Sequence, residues 1–221
     1  MTQSIDMIAR ALSADVNALS NVSQNVANLT TPGYRATRRA DGFEATLTTL
    51  DLRDGALVTT GRPSDLALQG RGFFAVQQDG KTFLTRAGQF LVNTDGQLID
   101  SAGRILMGKS GAIAVGAGAF AIGETGEVRQ GGEVIDQIAL LDAADGATVE
   151  ALGDGLYRMS GDSIASSAKV HQGALEGSNV DPGGEMVRLM EITRHAGAVQ
   201  HAISTYHAAL IAGIDRLGKE S

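Results

Sequence analysis

Two rows of apolar residues at opposite ends of the chain constrain its fold more than any other feature. The first runs through Ile5, Ile8, Leu12, Leu19, Val22, Val26 and Leu29 in steps of three and four, with Asp15 in the one position that lacks an apolar side chain. The second, Leu189, Ile192, Ala196, Val199, Ile203, Tyr206, Leu210, Gly213 and Leu217, keeps the same spacing near the C-terminus. A mean step of 3.5 places side chains on one narrow stripe of an α-helix, as in coiled coils. Between the rows the period drops to two, and turn signals recur at Asp79-Gly80, Asp95-Gly96, Ala102-Gly103, Thr125-Gly126 and Asp145-Gly146. FFAVQ, KTFLTR, QFLVN, EVRQ and QIALLD then read as short strands joined by hairpins. The expected fold class is α+β: N- and C-terminal long helices forming a coiled-coil-like core domain, with a central antiparallel all-β domain. The expected segments are an N-terminal helix in 1–34, an extended linker 35–60, a β domain 61–160, an extended return 161–184 and a C-terminal helix in 185–221.

Composition narrows the function. The chain has 221 residues, 43% of them hydrophobic, enough for a real core, while its 29 glycines and 4% aromatics favour many tight turns. A net charge of −7 argues against a nucleic-acid or anionic-membrane surface. Without cysteine there is no disulfide, thiolate metal site or cysteine nucleophile. Asp6, Arg10 and Asp15 interrupt any apolar stretch of a secretory signal, so any export would have to use a route without a cleaved signal peptide. No apolar run reaches the ~20 residues of a membrane helix.

One stretch suggests chemistry. Gly103 to Ser110, GRILMGKS, matches the phosphate-loop pattern with Gly103, Gly108, Lys109 and Ser110 in the fixed places. A working loop needs a helix starting at its Lys-Ser pair, so that backbone N–H groups cradle phosphate. Ser110 is followed instead by GAIAVGAGAF, which has no helical period, and Arg104 to Met107 look like a strand. A P-loop nucleotide hydrolase is therefore the lesser alternative, although IALLD, ending in Asp142, resembles a strand that presents a magnesium-binding carboxylate. The glycine pairs at Gly70-Arg71-Gly72 and Gly116-Ala117-Gly118 fail as dinucleotide fingerprints for the same lack of a helix. His195, His201 and His207 are six apart and cannot share one helix face, so no metal, cofactor or catalytic residue is expected.

The first helix is expected to end abruptly at Asn25-Val-Ala-Asn28-Leu29-Thr30-Thr31-Pro32-Gly33-Tyr34-Arg35, because Pro32 cannot continue it and Gly33 suits a positive φ. Asn28, Thr31, Pro32, Gly33 and Tyr34 make a string that resembles the N-terminal signature of the bacterial flagellar rod and hook protein family. Ser64-Asp65-Leu66-Ala67-Leu68-Gln69-Gly70-Arg71-Gly72-Phe73-Phe74 is similar to the family's central motif. Leu84-Thr85-Arg86-Ala87-Gly88-Gln89-Phe90 resembles the hairpin after it, and Gln172-Gly173-Ala174-Leu175-Glu176-Gly177-Ser178-Asn179-Val180-Asp181 the lead-in to the last helix. Four motifs in family order cover most of the chain. Gly153-Asp-Gly-Leu-Tyr157 makes the proximal rod members the nearest, with distal rod or hook members as the alternative.

The resemblance implies a structural, non-enzymatic subunit of the flagellar basal-body rod in the periplasm. Its implied partners are copies of itself, other axial rod proteins and the flagellar type III export apparatus, with no nucleic acid, no small-molecule substrate and no membrane insertion. Subunit contacts are expected on Ile5, Ile8, Leu12, Leu19, Val22, Val26 and Leu29 of the first helix and Leu189, Ile192, Val199, Ile203, Tyr206, Leu210 and Leu217 of the last. Long helices lacking packing partners are marginal in water, so these are expected to order fully only on assembly.

Overall fold

The computed structural model describes residues 2–39, 48–116 and 118–217, leaving aside the side chains of 2–6, 39, 48, 209–210 and 212–217. The chain divides into two compact units, one made of residues 1–27 and 181–221, the other of 28–180.

The terminal unit is an antiparallel pair of helices, α1 (Thr2–Ala27) and α2 (Pro182–Leu217). α1 contains no glycine or proline and is rich in alanine, a favourable helix composition. At the start of α2, Asp181 caps: its Oδ1 accepts the Gly183 N–H at 3.1 Å and its carbonyl accepts the Glu185 N–H at 3.0 Å, with Pro182 in the first turn where no N–H is needed. Among the described side chains, the buried or half-buried α1 positions are Ile8, Ala11, Ala14, Asp15, Ala18, Asn21, Val22 and Asn25, and those of α2 are Gly184, Glu185, Arg188, Leu189, Ile192, Ala196, Val199, Ile203 and Tyr206. The α2 face coincides with its apolar row. On α1 the paired face is turned by one residue, so Ala11, Ala18 and Asn25 replace Leu12, Leu19 and Val26. The cause is polar: in this rotation buried Asn25 donates from Nδ2 to Glu185 Oε1 at 3.1 Å, and Asp15 accepts from His195.

The unit 28–180 is built from antiparallel strands. Its largest sheet runs Thr148–Gly153, Leu156–Ser160, Lys81–Thr85, Phe73–Gln78, Ile105–Leu106, Leu98–Ile99 and Leu91–Val92. Leu140–Ala143 shares the second edge of Phe73–Gln78 with Ile105–Leu106 and carries Ser163–Ala165 on its far side. A three-stranded sheet joins Phe120–Ile122, Glu127–Gln130 and Glu133–Gln137. Three further pairs are Thr37–Arg39 with Thr48–Leu50, Leu66–Gln69 with Lys169–Gln172, and Leu57–Thr59 with Ala174–Glu176. Strands thus occur in the expected linker 35–60 and return 161–184, and 28–60 clusters with the β unit. The main core gathers Leu66, Leu68, Phe74, Val76, Phe90, Leu98, Leu106, Ile113, Val128, Ile138 and Val170. Phe74 and Phe90 meet edge to face with centroids 5.6 Å apart.

This overturns the expected fold class. The helices do not form a coiled-coil-like core domain; the chain is β-rich, with a large multi-sheet β unit and two helices. Among the described residues Val22 is the single helix residue in the buried apolar set, and every other member lies in 28–180. On the α1 side the seam offers alanines and paired polar groups beside Ile8 and Val22, too little apolar surface to make a core.

Candidate functional site

Four charges from four distant parts of the sequence meet inside the β unit. Arg86 follows the strand Lys81–Thr85, Glu176 ends Ala174–Glu176, Arg35 lies just past the Pro32-Gly33 turn, and Asp54 precedes Leu57–Thr59. The side chains of Arg86, Glu176 and Arg35 are 1%, 1% and 3% exposed. Arg86 donates from Nε to Glu176 Oε2 at 2.8 Å, from Nη1 to the carbonyls of Gly70 and Gly72 at 2.9 and 2.7 Å, and from Nη2 to Asp54 Oδ1 and the Leu68 carbonyl at 3.1 and 3.3 Å. Five N–H groups thus meet five acceptors, which is how a buried guanidinium is tolerated. Glu176 Oε1 faces Arg35 Nη2 at 2.9 Å and accepts the Gly55 N–H at 2.9 Å. Arg35 also donates to Asp54 and to the Arg53 carbonyl. Two cations and two anions leave the junction neutral.

Burial lowers the Arg86 pKa while Glu176 opposes that shift. Burial also works against the Asp54 carboxylate, but the Gly70 N–H and the Arg35 and Arg86 guanidiniums outweigh it and hold its pKa below the ordinary range. Tyr157 accepts the Arg35 backbone N–H at 3.1 Å, and its own phenol is pushed up to about 12, mainly by burial.

Around the junction the family motifs interlock by backbone contacts. The Gly33 N–H donates to the Glu176 carbonyl at 2.8 Å. Gly33 has φ +69°, and a Cβ there would stand 2.3 Å from the Arg86 carbonyl, so both conformation and space demand glycine. Asn179 accepts the Ala36 N–H at 2.7 Å and donates to the carbonyls of Asp51 and Arg53 at 2.8 and 2.7 Å. Thr31 donates from its hydroxyl to Asn28 Oδ1 at 3.0 Å, and the Asn179 N–H reaches the Tyr34 carbonyl. The site therefore clamps together the points where the chain enters and leaves the β unit. The motifs were visible in the sequence, but the pairing of Arg35, Asp54, Arg86 and Glu176 was not. The available signal was a charged residue inside three of the motifs, Arg35, Arg86 and Glu176, whereas Asp54 lies in none of them.

The terminal unit presents a second site. Leu12, Leu19 and Val26 are 49%, 43% and 37% exposed, and Met7 and Val16 are exposed with them. Val22 is buried, Ile8 half-buried, and Leu29 lies past the end of α1 in the β unit, half-buried. On α2, Leu189, Ile192, Val199, Ile203 and Tyr206 are half-buried, while Met186, Val187, Met190 and Ile211 are exposed. The side chains of Ile5, Leu210 and Leu217 lie outside the described residues. Asp15 accepts from His195 Nδ1 at 2.9 Å through both carboxylate oxygens, so this polar interruption of the row has a partner within the chain.

GRILMGKS is a turn and a strand. The Gly103 N–H donates to the Asp100 carbonyl and Ile105–Leu106 pairs in the large sheet. The Gly108 and Lys109 N–H groups donate to the carbonyls of Gly111 and Gln137, and that of Ser110 to the Asp136 carboxylate. Those N–H groups are engaged, and a carboxylate stands where phosphate would have to lie. Gly70 and Gly72, of the first dinucleotide-like pair, turn their carbonyls to Arg86.

Comparison with known proteins agrees with these motifs. Residues 67–188 match the family model of the flagellar hook protein FlgE/F/G D1 domain, and 171–210 match that of the flagellar basal body rod FlgEFG protein C-terminal region. The flagellar basal-body rod protein FlgF of Caulobacter vibrioides is 31% identical over 91% of this chain and 92% of its own length. FlgF of Salmonella typhimurium is 31% identical over 78% of this chain and 81% of its own. The flagellar hook protein FlgE of Brucella abortus is 33% identical but aligns over 41% of this chain. The chain belongs to the flagellar rod and hook protein family, among the FlgF basal-body rod proteins.

Proposed function

We propose that the chain is a structural subunit of the bacterial flagellar basal-body rod that joins its neighbours through the apolar faces left exposed by α1 and α2. The observation that carries this reading is the exposed row Leu12, Val16, Leu19 and Val26. Apolar side chains aligned along a helix and left in water are characteristic of an interaction surface. Contacts of this kind between unlike patches, repeated without closing, give a helical polymer. With Val22 the one buried apolar side chain among its described residues, α1 gains little from pairing with α2, so neighbouring subunits supply the rest of its stability. Partners are copies of the chain and other axial rod proteins, and the family resemblance extends the list to the flagellar type III export apparatus. The β unit is a folded body whose work is structural, not catalytic.

The test is Leu19→Asp, at an exposed position, beside Ile203→Asp in the helix-pair face. Leu19→Asp should leave the unfolding of the β unit unchanged and abolish rod assembly and motility. Normal motility in that variant would refute the reading.

A further inference from the structure

The helices of the terminal unit are bridged by polar side chains at two places, Asn25 with Glu185 and Asp15 with His195. The bridges are ten residues apart on each helix, as one antiparallel register requires. Three of the four side chains are largely withdrawn from water: those of Glu185 and Asp15 are 5% and 14% exposed and Asn25 is fully buried, while His195 at the rim is 57% exposed. Apolar packing in the seam discriminates poorly. α1 contributes Ile8, Ala11, Ala18 and Val22, and a slide by seven residues on α2 exchanges Ile192 for Val199 or Ala196 for Ile203. The same slide would set Asn25 against Ile192 and Asp15 against Ala202, stranding Glu185. The opposite slide would carry Asn25 past the start of α2 and set His195 against Ile8. Either error leaves buried polar groups unmatched, which costs far more than an exchange of one aliphatic side chain for another.

We propose that Asp15–His195 and Asn25–Glu185 together form a register lock that selects one axial alignment of the two helices. The lock also sets which exposed apolar side chains stand near one another along the axis: Leu19 within one residue of Met190, and Val26 within two of Met186. This consequence rests on the assembly reading above, whereas the lock itself does not. A single buried polar residue is known to specify register in helical pairs, and here two bridges divide that task.

The 221-residue chain has no cysteine, so introduced pairs report register without background. Ala18→Cys with Ile192→Cys reads the observed alignment; Ala18→Cys with Val199→Cys and Ala11→Cys with Ile192→Cys read the two slides. A slide moves partners by about 10 Å along the axis, beyond disulfide reach. Under dilute oxidising conditions the otherwise unaltered chain should cross-link within itself only through the first pair, since oxidation traps even a transient alignment. Adding Asp15→Ala with Asn25→Ala should raise the slid cross-links at least several-fold. Exchanging the bridge, Asp15→His with His195→Asp in an Asn25→Ala background, should return the cross-links to the first pair alone. Slid cross-links before any lock residue is changed, or exclusive native cross-linking after both bridges are removed, would overturn the lock. If the double alanine variant loses helical dichroism and all cross-links, the exchanged bridge decides, and its failure to restore the first pair overturns the lock as well. Motility of Leu19→Asp tests the assembly reading separately.

Discussion

Replacing Glu176 with Gln should destabilise the β unit more than most single substitutions. The substitution keeps the side chain's shape and removes its charge. Glu176 Oε1 accepts the Gly55 N–H and faces Arg35, while Oε2 accepts Arg86 Nε. The glutamine amide must place its NH2 against one of these donors, and its oxygen can satisfy only the other. Two guanidiniums, 3% and 1% exposed, are left with the half-buried Asp54 as their one anion. Breaking a buried pair from one side costs about 3–5 kcal/mol. Against a total stability of about 5–15 kcal/mol this is a large fraction. At about 2–4 °C per kcal/mol for a unit of this size, the melting temperature should fall by roughly 6–20 °C. The chain lacks tryptophan, so calorimetry or circular dichroism is the assay, with urea unfolding for the free energy. Arg86→Met combined with Glu176→Leu should cost less than the sum of the two single changes, because neither buried charge is then abandoned. A loss below about 1 kcal/mol for Glu176→Gln would refute the claim that one carboxylate balances both guanidiniums.

Gly33→Ala should cost at least about 2 kcal/mol in urea unfolding, from the left-handed backbone and from overpacking against the Arg86 carbonyl, and a neutral result would show that the turn can open freely. Acid should weaken the β unit: Asp51, held low chiefly by its side-chain hydrogen bond from Arg53, and Asp54 both have pKa values depressed on folding. Their contribution is fully present above the unfolded carboxylate range and is lost as pH falls below about 4. Urea midpoints that stay constant down to pH 2 would contradict it. Burial raises Tyr157 to about 12, so one tyrosine should titrate there in an ultraviolet phenolate titration, and its contribution to stability should be lost as pH rises through that value. A Tyr157→Phe variant that still shows the late step would disprove the assignment.

Local physics made part of this molecule readable in advance. The helix stop at Ala27 follows from Pro32 and Gly33 with Asn28, and the Asp-Gly and Thr-Gly turns fall between strands because glycine takes positive φ at each. The spelling of GRILMGKS could be set aside because no helical period follows Ser110. Period alone, however, names a helix and leaves open which way it turns. Leu12, Leu19 and Val26 fit the row better than Ala11, Ala18 and Asn25, yet the latter face α2, since a paired Asn25 and Asp15 outweigh a few exposed methyl groups. The coiled-coil core expected from those rows failed for the same reason.

What the sequence by itself determined, then, is the order of elements, the placement of turns and the family motifs, all of which depend on neighbours within a few residues. Tertiary structure decided the rotation of α1 and the junction of Arg35, Asp54, Arg86 and Glu176. Arg86 and Glu176 are separated by 90 positions, and a buried charge has meaning only beside its partner. No local rule carries that separation; it is settled by desolvation and Coulomb attraction once the β unit closes around them.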